Sequence, residues 1–494
     1  MLAGISAAEI RTGCRSGNGN TLKGTVKMEK IKIGFLPLYI KLYDDCGSGA
    51  KARPRLEPFA RTLTEKLEDN GFEVYLSPFC RIKSEFADAV ESFESAGCSA
   101  IVTWHAAYSP SLECIDALAG TKLPLVVLDT TETYSFGPTQ APGEISYCHG
   151  IHGVMDMCSM LHRYGKPFAI AAGHINHSDV IDRTVGYLRA AVAASSLKGS
   201  RTGTIGGSFD GMGDFLVSDE EMLRRFGVTV VYPEKGELAS YREQVTQEEI
   251  AIEIGKYDSD YEPLIELDRE VKERNAENCL AVRKWIEEKK LDAFTANFRE
   301  IGNGTGLNIM PFTEACKAME RGTGYAGEGD VLTASLVGAL MKGYENATFV
   351  EIFCPDWKDG TLLLSHMGEY NPACVGGKQQ MTEMPFIYGG AKNPLVTYGC
   401  YRGGDAIFIN LFQTKAEGFK LFISPVKMES VEPAEDNFKN KVRGWLRPCM
   451  PVADFLEAIS FAGATHHSAL VYGARTAEIE YFAKLLGLPF TTVK

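Results

Sequence analysis

A carboxylate in the middle of an apolar run is the first chemically informative feature of this chain. Glu351 sits inside ATFVEIF and His366 inside TLLLSHM, within a stretch from Gly324 to Glu369 that also presents Glu328 on the glycine-punctuated turn of YAGEGD. Burying a carboxylate is costly unless a cation or hydrogen bonds hold it. Two such carboxylates and an imidazole on successive elements predict a metal site with mixed oxygen and nitrogen ligands. That mixture suits Mn²⁺, Co²⁺ or Mg²⁺ better than a structural zinc held by thiolates. Each residue also has a plain reading, since Gly-x-Gly before a helix is common and a lone strand Glu can face water at an edge. The histidine distribution favours the chemical reading. Of nine histidines, His105, His149, His152, His162, His174 and His177 fall in the first part, leaving only His366 and the pair His466–His467 of GATHHSALVYG.

The elements that position these residues follow from local pattern. Asp330 stands where a helix N-cap belongs, and VLTASLVGALM continues with helical spacing. From Ile31, continuous apolar runs (KIKIGFLPLYI, FEVYLSP, SAIVTWH, LPLVVLD) alternate with amphipathic stretches such as PRLEPFARTLTEKLEDNG and SEFADAVESFESAG. This pattern predicts a parallel sheet covered on both faces. Such sheets place ligands beyond the carboxyl ends of their strands, here at Trp104, His105 and Ser109.

A second α/β unit follows, with VTVVYP, a long charged helix from about Tyr261 to Lys290, and the buried strand DAFTANF. Its GGSFDGMGD segment lacks the lysine and Ser/Thr of a P-loop, and reads as turn chemistry or at most a loop near the site. After Ala347 the strands FVEIFCPDW, TLLLSHM, MPFIYGG, PLVTYGC, DAIFINLF and GFKLFISPV crowd together between glycine and proline turns, predicting an antiparallel sheet or barrel. The expected organisation is α/β: two doubly wound parallel-sheet domains over 28–197 and 198–348, then a β-rich, barrel-like domain over 349–494. Residues 1–27 are polar and glycine-rich, and read as a disordered extension ahead of a natural start at Met28.

Composition sets the outer limits. The 494 residues carry a net charge of -13, are 45% hydrophobic and 23% charged, and include thirteen cysteines with no CxxC pair. Acidity of this size argues against nucleic-acid or anionic-membrane partners. The cysteine usage is that of a reducing compartment, and no apolar run is long enough to span a bilayer. The expectation is a cytoplasmic protein acting on a small molecule.

The order AGEGD, strand Glu, SHM, GAxHH, set on two α/β units and a β-rich unit, resembles the L-arabinose isomerase family and the wider group that includes L-fucose isomerases. Weaker echoes are IVTWHAAYSP, CHGIHGVMDM and the MGD turn. The resemblance implies one divalent cation, usually Mn²⁺, held by Glu328, Glu351, His366 and His467. It also implies acid/base roles for Glu328 and Glu351 in aldose–ketose interconversion of a monosaccharide through an enediol. It implies a homo-oligomer, trimer or hexamer, in which the first unit of one chain covers the metal site of the next. His149 would then contact substrate, as would His466. The plain reading of His149 is a cap on the helix starting near Ile151. Because adjacent strand residues face opposite ways, only one of His466 and His467 is expected to ligate. The sequence departs from the family where Ile352 and Phe353 follow the strand glutamate and Val331 and Leu332 follow GEGD. Two other readings share these residues: a non-catalytic sugar-binding or sensing protein, and an epimerase acting on a modified sugar.

Overall fold

The computed structural model describes residues 30–494 apart from residue 48, so the reading of Met28 and of residues 1–27 lies outside the described residues. Strands β1 (Ile31–Leu38), β2 (Phe72–Leu76), β3 (Ile101–His105), β4 (Leu125–Asp129) and β5 (Phe168–Ala172) form the first sheet. All pair in parallel, in the order β2-β1-β3-β4-β5. Helices on both faces bury the strands, which is why β3 and most of β4 are buried without alternation.

The second unit contains β6 (Arg201–Ile205), β7 (Thr229–Val231), β8 (Tyr261–Pro263), β9 (Ala293–Ala296) and β10 (Gly324–Gly327). Four of these make a parallel sheet in the order β10-β9-β6-β7. The expected helix from Tyr261 is corrected here. Tyr261–Pro263 is the strand β8, and the helix runs over Arg269–Lys289 behind Asp268. Pro263 has no N–H to donate inside a helix, and β8 instead pairs with a strand of the following unit.

The last unit supplies β11 (Ala347–Asp356), β12 (Thr361–Leu364), β13 (Val375–Glu383), β14 (Leu395–Tyr401), β15 (Gly404–Thr414), β16 (Gly418–Met428), β17 (Gly444–Pro448), β18 (His467–Tyr472) and β19 (Phe490–Thr492). Apart from β19, which pairs only with β16, the strands of the sheet β15-β18-β11-β12-β17-β16-β19 close on themselves because β15 also pairs along its length with β16. Closure removes the exposed edges of those strands. Helix Val452–Ala462 adds Phe455 against Phe408 and Phe422, with ring centroids 5.9 and 5.8 Å away. A small sheet, β14-β13-β8, joins the last unit to the central one. MPFIYGG is not a strand; β13 ends at Glu383 and the segment turns away as a loop. Among the described residues no helix is long and apolar enough to cross a membrane.

Helix Val331–Gly343 is the joint of the three units. It is apolar all round and buried from Leu332 to Met341, as a helix enclosed on every side must be. Gly338 lets it lie against β10, since a Cβ on Gly324 would stand 2.2 Å from the Gly338 nitrogen. At its far end Tyr344 donates to Glu478 Oε2 at 3.0 Å. Glu478 is buried against Gly186, where any Cβ would meet its Oε1 at 1.9 Å. Burial pushes the Glu478 carboxyl above the usual range. A raised folded-state pKa means that stability is fully present below the unfolded value and is lost as pH rises through the folded one. Glu478→Gln should therefore raise the thermal midpoint at pH 8, with the gain vanishing in acid. Equal pH profiles for the two proteins would show that this carboxyl does not titrate against the fold.

Candidate metal centre

The sequence-predicted residues meet where the carboxyl edge of the central sheet abuts one end of the barrel. Glu328 is the first residue past β10 and adopts a left-handed backbone, φ 65, followed by Gly329 at φ 82. A non-glycine residue held in that region stores about 1–3 kcal/mol of strain, a cost that clusters at functional sites. Neighbours impose it: Phe209 N–H donates to Glu328 O at 2.9 Å and Gly329 N–H to Thr295 Oγ1 at 3.0 Å. Gly329 must be glycine, because a Cβ there would lie 2.1 Å from the Gly207 carbonyl oxygen. Asp330 then caps helix Val331–Gly343, accepting from Thr333 N–H at 2.8 Å.

From the barrel side, Glu351 on β11 is directly paired in register with His467, the first residue of β18. Ser365 N–H donates to the Glu351 carbonyl at 3.1 Å, which places His366 beside it just past the end of β12. The ligand atoms of Glu351, His366 and His467 lie within 4.8 Å of one another, as do those of Glu328, His466 and His467.

Both inner histidines are oriented from behind by carboxylates. His366 Nδ1 is 2.6 Å from Glu369 Oε2, and Glu369 also accepts from Gly368 N–H at 2.9 Å and Tyr325 OH at 3.2 Å. His467 Nδ1 is 3.0 Å from Asp330 Oδ2. Each ring therefore turns Nε2 towards the carboxylates. His366 Nε2 stands 3.6 Å from Glu351 Oε2, and His467 Nε2 stands 3.3 Å from Glu328 Oε2. His467 Nε2 is buried and makes no hydrogen bond. Phe349 sits edge-on to both rings, with centroids 4.9 Å away, and Phe215 stacks on His467 at 5.1 Å.

A buried, unpartnered imidazole nitrogen facing two carboxylates, with carboxylates behind, is the chemistry of a divalent-cation site. The residues present fit Mn²⁺ or Co²⁺, which accept mixed nitrogen and oxygen donors.

The electrostatics separate the two glutamates. Burial raises the Glu351 carboxyl. Burial would also raise Glu328, but His466 and His467 outweigh it and hold that carboxyl well below the usual range. Burial alone would depress His366; Glu369, followed by Glu351, instead carries it up to about 9. His466 is raised to about 10, with Asp214 and Glu328 overcoming its burial.

Sequence comparison gives this geometry a lineage. A family model for the L-arabinose isomerase central domain matches residues 217–345, and one for the L-arabinose isomerase C-terminal domain matches residues 346–489, together more than half of the chain. The chain belongs to the L-arabinose isomerase family. A relative from Oceanobacillus iheyensis, named L-arabinose isomerase, is 25% identical over 90% of this chain and 96% of its own length. A second from Geobacillus thermodenitrificans is 23% identical over 89% and 90%, and a third from Flavobacterium johnsoniae is 26% identical over 83% of each. Among solved structures, a D-allose-bound periplasmic binding protein from Actinobacillus succinogenes overlaps at a TM-score of 0.16 and 12% identity, covering 64% of this chain and 92% of its own, a score too low to inform the fold.

Several residues sit differently from expectation. His466 and His467 do not face apart; their ring centroids are 4.2 Å from each other and both approach Glu328. Strand alternation does not apply, because β18 begins only at His467. His466 is instead held by Asp214, which accepts from its N–H at 2.9 Å and lies 2.6 Å from its Nδ1. The GGSFDGMGD segment thus reaches the site rather than serving as a plain turn.

His149 does not cap the helix Ile151–Arg163, whose N-cap is Gly150. Its Nε2 is 2.7 Å from Tyr43 OH, and its Nδ1 is buried and unpartnered. His105 is buried beneath that helix, with neither ring nitrogen hydrogen-bonded. Gly150 and Gly153 let that helix settle on it, a Cβ at Gly153 falling 2.2 Å from its Cδ2, and burial pushes it down to about 3.

Glu369 and Asp330 were not read from sequence as members of the site. The available signal was the His366–Glu369 spacing in SHMGE, which a glycine before the glutamate disguised as a turn. Glu369→Gln should weaken Mn²⁺ binding roughly 10–100-fold, the usual effect of removing a carboxylate behind a ligand histidine. Calorimetric titration measures it, and unchanged affinity would show that the pair only fills space.

Proposed function

We propose that the chain interconverts an aldose and its ketose, with Glu328, Glu351, His366 and His467 holding one divalent cation, Mn²⁺ by preference. The observation that carries this reading is the convergence of two carboxylates on two histidines, each fixed from behind by Asp330 or Glu369. Such a cation supplies charge stabilisation to the two adjacent substrate oxygens as negative charge develops on them.

The protein's own groups move the proton. His466 and His467 hold the Glu328 carboxyl low and its backbone is strained, while burial raises the proton affinity of the Glu351 carboxyl. Two carboxyls whose environments push their proton affinities apart divide base and acid roles. Between them, a proton leaves carbon 2 and returns at carbon 1 through an enediol, while the oxygen on carbon 1 takes up a proton and the hydroxyl on carbon 2 gives one up. His466, held by Asp214, reaches the same edge and offers a hydrogen bond to substrate.

The same reading includes a homo-oligomer in which the first unit of one copy, with His149, covers the cation site of the next. Ile145, Ile151 and Met155 flank His149 and are exposed, as are Tyr134 and Phe136 on the same unit. Phe353, Trp357 and Ile387 are exposed on elements around the cation site. Apolar exposure on this scale fits surfaces that meet. A cytoplasmic setting suits the free, buried thiols of Cys80, Cys98, Cys114, Cys279, Cys316 and Cys374. The division into units at 197/198 and 348/349 belongs to the proposal, with β8 bridging the second of these.

A panel of aldoses incubated with protein and Mn²⁺, with ketose assayed, tests the reaction. Chelation should abolish turnover, and Mn²⁺ or Co²⁺ should restore it. Full activity in a metal-stripped preparation would end the cation assignment.

A further inference from the structure

The wall beside the cation site is apolar to a degree that a polyhydroxylated substrate does not explain. A cavity of about 130 Å³ begins at Glu328 and His366 and leads away between Phe298, Met310, Phe312, Met367, Phe386 and Tyr388. Met310, Phe312 and Phe386 are almost wholly buried. The polar groups at the inner end are already engaged. Glu369 is bound to His366, Gly368 and Tyr325, and Glu328 faces the two barrel histidines.

The outer wall is a built feature. The loop after β13 is tied back by Phe386 N–H to Asn393 Oδ1 at 2.9 Å and Met384 N–H to Pro394 O at 3.0 Å. Tyr388 then sits edge-on to both Phe298 and Phe386, with centroids 6.1 and 5.7 Å away. This is the segment MPFIYGG, whose failure to form a strand delivers two aromatic rings to the cavity.

We propose that this cavity receives the distal end of the substrate, and that the substrate class is aldoses whose chain ends in an apolar group, a terminal deoxy carbon, rather than a hydroxymethyl. The inference rests on the isomerase reading for what binds at the cation. Carbons 1 and 2 are placed there by the chemistry, Phe215 and Phe349 back the histidines, and the cavity is the route that leaves from Glu328 and His366. A hydroxyl on the far carbon seated among Met310, Phe312, Met367 and Phe386, short of the Tyr388 ring, would meet phenyl and thioether surface and lose its water without a partner. A methyl in the same place would gain contact. Discrimination against an added hydroxyl in such a pocket is about 10–100-fold.

The test uses the Mn²⁺-loaded full chain and matched pairs: D-galactose against 6-deoxy-D-galactose, L-galactose against 6-deoxy-L-galactose, and L-mannose against 6-deoxy-L-mannose. In whichever pair turns over, kcat/KM should favour the deoxy member by at least about tenfold. Phe386→Asn should erase that preference, and Phe386→Leu should keep it, both with Mn²⁺ affinity unaltered. Turnover with no preference in wild type would overturn the inference and leave the isomerase reading intact. A calorimetric comparison of the corresponding alditols separates the remaining cases. Tighter binding of the deoxy alditol without turnover of any aldose would support the pocket and defeat the isomerase reading. No turnover and no difference in alditol binding would defeat both.

Discussion

Glu351→Gln should lower kcat by about two to four orders of magnitude, the range for removing a positioned acid/base, a larger loss than the accompanying fall in Mn²⁺ affinity from replacing an anionic ligand by a neutral amide oxygen. The amide keeps an oxygen where Glu351 Oε2 now stands, 3.6 Å from His366 Nε2 and across the strand pair from His467. It cannot exchange a proton in the required way. Burial raises the proton affinity of the Glu351 carboxyl, which suits a group that takes up and releases a proton. Two measurements separate the roles. Exchange of the carbon-2 hydrogen with deuterated solvent reads proton transfer, and calorimetry reads the cation. Turnover near the wild-type rate would remove Glu351 from the chemistry, and loss of cation binding equal to the loss of rate would reduce it to a ligand.

The site was legible where a charge had to be paid for by something outside its own segment. Glu351 in ATFVEIF and His366 in TLLLSHM lie in runs that the barrel core buries, so their chemistry followed from the apolar neighbours alone. Asp330 was legible as a helix cap, but not as the group orienting His467, because that contact spans 137 positions. The barrel's closure was hidden for a related reason. Pairing of β15 with β16 is a local hairpin, whereas pairing of β11 with β18 joins Ala347 to Val471 and leaves no trace in either strand. Local rules also failed at element ends. Alternation on a strand separates neighbours only within the strand, and His466 precedes it. The reading of Tyr261 as helical ignored Pro263 two residues on, which fits an edge strand. Trp104, His105 and Ser109 sit at the carboxyl end of β3 as expected, yet helix Ile151–Arg163 covers His105 and Ser109, since glycines at 150 and 153 permit a docking distance that no periodicity reveals, while Trp104 packs against Phe35, Phe59 and Phe79.

Mixing two inactive variants should restore activity if the site is shared between copies. His149 has a buried Nδ1 with no partner, and its Nε2 contact is Tyr43, on the same unit. Neither its hydrogen bonds nor its ring contacts reach the cation cluster of its own chain among the described residues. The exposed apolar residues around it then give that face somewhere to go. His467→Ala removes one of the proposed cation ligands and should be inactive alone. His149→Ala should lose most of its turnover with Mn²⁺ affinity retained. Dissociated, mixed in equal amounts and reassembled, about a quarter of head-to-tail interfaces would pair an intact cation site with an intact His149. Activity should return to roughly that fraction of wild type. If each site is built within one chain, every site in the mixture keeps one defect and no activity returns. Full activity of His149→Ala on its own would remove this histidine from the site and leave only its bond to Tyr43 as its role.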